Sequence, residues 1–144
     1  MKRLEKLFYP VSFVILLSVL ASACKTSSKT NTTNFLTAHP WELIAINGKE
    51  LDMSAFQKGT PFLKFEDDGR LSGSTGCNNF SGDFKLENKS LTLNPGAMTR
   101  MACQGNGEML VLDALSMVKN IKTDADKLTL LDGSRELMTL IPKK

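Results

Sequence analysis

Beyond residue 40 the chain is cut into short pieces by turn-forming residues, and this punctuation restricts the fold more than any other feature. Asn47-Gly48, Asp67-Asp68-Gly69, Asn88-Lys89 and Asp132-Gly133 interrupt runs that alternate apolar and polar residues. Asn, Asp and Gly tolerate positive φ and close tight hairpins. The runs between them are WELIAI at 41–46, FLKF at 62–65, DFKL at 83–86, LTL at 91–93, KLTLL at 127–131 and ELMTLI at 136–141. A period of two buries one face of a strand. Residues 70–75 are Gly- and Ser-rich and read as a strand closely approached by other backbone. Residues 97–102 add a further strand, and residues 51–56 a short helical turn.

One stretch breaks the rhythm. In residues 108–120 (EMLVLDALSMVKN), Leu112, Leu115 and Val118 recur at helical spacing, with Met109, Leu110 and Val111 beside them. Gly105-Asn106-Gly107 precedes this run and can supply a cap. The prediction is one helix of about three turns, at about 108–120. Six or more short strands with one helix in the C-terminal half make a single α+β, mostly-β domain.

The N-terminus has a different character. Residues 1–6 are basic, residues 7–19 (LFYPVSFVILLSV) are mostly apolar, and Leu20-Ala21-Ser22-Ala23-Cys24 follows. A basic head, an apolar run and small residues make a secretory signal peptide over 1–23. The run is short of the roughly 20 apolar residues of a membrane span. The small residues before Cys24 match a bacterial lipoprotein box, in which the Cys becomes the lipid-bearing first residue. Ala21 stands where that box usually has Leu, and Ala21-Ser22-Ala23 also satisfies ordinary signal cleavage at the same bond. Residues 25–34 (KTSSKTNTTN) contain no apolar side chain, so residues 24–38 are expected to be a lipidated Cys and a disordered tether. The folded domain is then expected over 39–144. Lys25 after the Cys, rather than Asp, favours the outer membrane under enterobacterial sorting rules.

Charge excludes one partner class. The chain has 18 basic and 15 acidic residues. Lys2, Arg3 and Lys6 against Glu5 carry much of the excess, leaving 15 basic against 14 acidic from Lys25 onward. No pattern here calls for nucleic acid.

With Cys24 lipidated, Cys77 and Cys103 remain. In an oxidising compartment a leftover pair is expected to form a disulfide, stabilising the fold by about 3–4 kcal/mol in the chain-entropy model. Free buried thiols, or a metal or redox pair, are the alternatives. Zinc wants closer ligands and usually His, and the only His is His39. A copper(I) set of Met98, Met101, Cys103 and Met109 fails if Cys103 is bonded. A nucleophilic Cys or Ser needs a base, and His39 lies far along the chain from all of them. Gly69, Gly73 and Gly76 lack the Gly-Lys-Ser/Thr of a phosphate cradle.

Gly76-Cys77-Asn78-Asn79-Phe80-Ser81-Gly82, then Thr99-Arg100-Met101-Ala102-Cys103, then Glu108 leading a helix, form an ordered set. Trp41-Glu42-Leu43 with Asn47-Gly48 opens it, and Phe65 followed by Gly69-Arg70-Leu71-Ser72-Gly73 precedes the first Cys. This set resembles the META domain of HslJ-like bacterial envelope proteins, over roughly residues 40–141. Met98 departs from a common Thr, and Gln104 from a common Pro. The resemblance implies a strongly curved antiparallel sheet packed on a helix, in a secreted or lipid-anchored domain, some relatives being linked to stress. It brings no catalytic residues, metal or cofactor.

The expectation is therefore a non-enzymatic, monomeric envelope lipoprotein domain. It would meet the membrane through the lipid on Cys24 and bind an envelope protein or a small apolar ligand. The apolar-ligand alternative requires a pocket between sheet and helix. Asn78, Asn79, Thr99 and Arg100 are the expected recognition loop. A structural corner at Asn78-Asn79 is the competing reading, and Arg100 is read as able to pair with Asp83 or Glu108.

Overall fold

A computed structural model describes residues 27–144. The expected signal peptide and Cys24 lie outside the described residues. Within them the chain forms α1 (Ser27–Thr37), β1 (Trp41–Ile46), β2 (Lys49–Glu50), a 3-10 turn (Met53–Ala55), β3 (Phe62–Phe65), β4 (Arg70–Ser74), β5 (Asn79–Glu87) and β6 (Ser90–Met98). Then follow α2 (Gly107–Met117), β7 (Asn120–Asp124), β8 (Lys127–Asp132) and β9 (Arg135–Pro142).

All pairings are antiparallel and follow chain order, except that β1 pairs with β3 on one edge and with β9 on the other. The sheet therefore closes on itself, and β2 extends the β1 edge beside β3. The joint between β6 and β7 is slight. One bridge, Ser90 to Asn120, is flanked by Leu91 N–H to Lys119 C=O and Ile121 N–H to Lys89 C=O.

Strand alternation places the core. Trp41, Leu43, Leu63, Phe65, Leu71, Phe80, Leu91, Leu128, Leu130 and Leu140 are buried inside. A register shift between Leu43 and Ala45 inserts one residue in β1. It lets Leu43 and Ile46, three apart, both face inward while Ile44 stays exposed. Val111, Ala114 and Leu115 of α2 fill the space above the sheet.

The structure departs from the sequence expectations in four places. Residues 97–102 are not a separate strand, because β6 runs on to Met98 and residues 99–106 are irregular. The helix stops at Met117 rather than 120. Val118 is extended, and Lys119 N–H bonds Leu131 C=O, so the sheet takes over the chain there. Strand β7 had no clear alternation in its sequence NIKTD. Finally, Ser27–Thr37 is helical where a disordered tether was expected, and the fold starts before residue 39. The reason lies in the last turn of α1. Leu36 is fully buried, Phe35 stacks 4.9 Å from Trp41, and the Trp41 Nε1–H donates to the Leu36 carbonyl at 2.8 Å.

Candidate functional site

The site lies at the end of the ring where β1 finishes. Gly76, Cys77 and Asn78 turn the chain between β4 and β5. Gly76 has φ +82°, and a Cβ there would meet the Phe56 ring at 2.6 Å. A Cβ at Gly107, the first residue of α2, would also meet that ring, at 2.6 Å. Phe56 thus packs close to two glycines, which joins the corner, the 3-10 turn and the start of α2.

The turn is closed by Thr75. Its backbone N–H donates to Asn78 C=O at 2.8 Å, and its hydroxyl oxygen accepts the Asn78 N–H at 2.9 Å. Cys77 is bonded to Cys103, with Cα atoms 6.0 Å apart. This is the expected pairing.

Asn78 is a hub rather than a contact surface. Its side chain is buried, and every polar valence is used. The Nδ2 group donates to Met101 C=O at 3.1 Å and to the Glu108 carboxylate at 3.0 and 3.1 Å. The Oδ1 accepts from Met101 N–H at 2.7 Å and from the Thr99 hydroxyl at 2.8 Å. Thr99 in turn accepts the Asn79 N–H, and its own N–H donates to Asn79 C=O.

Residues 99 and 101 are therefore both clamped, and Arg100 stands between them with an exposed side chain. Neither sequence-predicted partner reaches it. Asp83 accepts from Asn94, and Glu108 accepts from Asn78. Among the described residues Arg100 makes no ion pair. The four expected loop residues are brought together, but with divided roles: Asn78 and Thr99 frame the loop, while Asn79 and Arg100 face solvent. Sequence reasoning missed Glu108 as the acceptor for Asn78. Its position in the first turn of a helix, where backbone N–H groups and the helix dipole favour a carboxylate, was the available signal.

Beside this loop lies an open groove of about 430 Å³. Ile46, Leu51, Ala55, Phe56 and Leu110 supply its apolar lining, and Asn47, Lys49, Glu50, Asp52 and Asn106 its polar lining. The Ser54 hydroxyl and N–H hold the Asp52 carboxyl below its ordinary range. Sequence reasoning missed the groove, because its walls come from two stretches of chain far apart in sequence, residues 46–56 and 106–110.

His39 is at the opposite end, half-buried, with its ring edge-on to Trp41 at 4.3 Å and Nδ1 unpartnered. It is remote from both cysteines.

The META domain profile matches residues 34–144. This chain belongs to the META domain family. The match begins just before Leu36, in agreement with the docking of that residue. Heat shock protein HslJ of Escherichia coli strain K12 is 34% identical over 133 residues, covering 88% of this chain and 91% of HslJ. Among solved structures, an NMR structure with 30% identity superposes with TM-score 0.60, over 76% of this META chain and 93% of that one. A crystal structure of a DUF4847 family protein from Bacteroides vulgatus shares the fold at 13% identity, with TM-score 0.61 over 78% and 98% of the two chains.

Proposed function

We propose that this META domain is a non-enzymatic, lipid-anchored module of the bacterial cell envelope that binds an acidic protein partner. The observation that carries the reading is Arg100. Its backbone is fixed on both sides, the loop is stapled by a disulfide, and its guanidinium is exposed with no ion pair among the described residues. A preorganised Arg forks onto a carboxylate with less entropy to lose than a mobile one. The disulfide suits an oxidising compartment, and the signal-like segment ending at Cys24 supplies the address. The name of the HslJ relative adds a role in heat stress to the proposal.

The apolar-carrier reading has less support, since Val111, Ala114 and Leu115 occupy the space between helix and sheet.

The test uses full-length protein in its native membrane. The mature chain is expected to carry acyl groups on Cys24 by intact mass. Cross-linking to envelope proteins should fall about tenfold in Arg100→Glu, a loss of the size typical for an interface charge. It should be unchanged in Lys89→Glu, in the turn at the other end of β5. Equal cross-linking in both variants overturns the binding site, and an unacylated mass overturns the anchor.

A further inference from the structure

Six large hydrophobic side chains are exposed among the described residues, and they are not spread evenly. Met53, Met101, Met109 and Leu110 lie at the end of the ring that carries the disulfide, leaving Ile44 and Ile141 elsewhere. Their segments touch one another. Ala55 packs on Gly105 and Gly107, and Asn78 bonds both Met101 and Glu108. Three of the four are methionines, exposed by 45%, 46% and 59% respectively, whereas Met138 is exposed by 1%.

We propose that Met53, Met101 and Met109 form a reversible oxidation site for two-electron oxidants such as hypochlorous acid. The reading goes beyond the binding function and does not depend on it. Two features of the structure carry it. First, the two cysteines among the described residues are bonded to each other. No free thiolate is left there to consume the oxidant, so an exposed thioether meets it first. Second, the fold does not hold these three side chains. Asn78 grips Met101 only through its backbone N–H and C=O, and Met53 and Met109 project from a surface turn and an exposed helix face. A sulfoxide in water therefore leaves the packing intact while turning an apolar rim polar.

The chemistry balances without a cofactor. The thioether sulfur attacks the chlorine of hypochlorous acid and releases hydroxide. Water then displaces chloride from the chlorosulfonium ion, giving the sulfoxide and, in sum, one proton and one chloride. Sulfur loses two electrons and chlorine gains them. A methionine sulfoxide reductase reverses the step.

The test treats the folded full chain with limiting hypochlorous acid and maps the products by peptide mass. Met53, Met101 and Met109 are expected to gain one oxygen each about tenfold faster than Met98, Met117 and Met138. The thermal midpoint should be unchanged, and reductase treatment should restore the mass. Equal rates at all six sites overturn the proposal. So does a lowered midpoint after the three react, which would make them packing residues. The triple variant M53L/M101L/M109L provides a separate check: it should keep the wild-type midpoint and leave correspondingly more oxidant unconsumed. Unchanged oxidant consumption by that variant also overturns the proposal.

Discussion

The amide nitrogen of Asn78 lies 3.0 and 3.1 Å from the two carboxylate oxygens of Glu108, joining the corner before β5 to the first turn of α2 across 30 residues of sequence. Only an amide fits. The same side chain must donate to Glu108 and Met101 C=O and accept from Met101 N–H and Thr99.

Asn78→Asp tests this. It removes the donors and sets two carboxylates together, which should cost about 2–4 kcal/mol by urea unfolding at pH 7. A loss well below about 1 kcal/mol would refute the contact.

Reduction of Cys77–Cys103 removes a crosslink between residues 26 apart. The chain-entropy model gives a loss of about 3–4 kcal/mol. Cys77→Ser with Cys103→Ser should show the same loss in equilibrium unfolding, with or without reductant.

Leu36→Ala should cost about 2–5 kcal/mol, because the side chain is fully buried beneath Trp41. The expected companion signal is a red shift of Trp41 emission as the last turn of α1 loosens. If α1 were a tether with no role in the fold, neither stability nor emission would change.

Asp132 governs part of the acid limb. The Lys119 ammonium, 2.7 Å away, and then the Arg135 guanidinium, at 2.9 Å, hold its carboxyl below the usual range. A depressed folded value means the stabilisation is fully present above the unfolded carboxylate pKa, about 3.9. It is lost as pH falls through the lower folded value. Asp132→Asn should therefore flatten the pH dependence of unfolding below about pH 4 and change its slope little above pH 6.

The hairpins were legible because Asn88-Lys89 and Asp132-Gly133 sit between alternating runs, which is local information. So was the body of α2, from its helical spacing. What escaped were features set by tertiary partners. Strand β7 reads as polar because its one buried residue is Ile121, and pairing with β8, helped by the bridge to β6, makes it a strand. The helix over Ser27–Thr37 escaped because its sequence is almost wholly polar. Among its described side chains Leu36 is the one fully buried, and it gains its meaning from Trp41. In the site, proximity of Asn78 to Thr99 and Arg100 followed from the cysteine pairing, but their separation into frame and surface required the hydrogen bonds.

The pairing of β1 with β9 joins Trp41 to Pro142, the two extremes of the ring. It has a consequence for timing. The first strand to be made waits for the last, so the ring cannot be completed until nearly the whole chain has been synthesised. A chain threaded through an export channel from its N-terminus would therefore cross with β1 open on its β9 edge, and the fold would lock only on the far side.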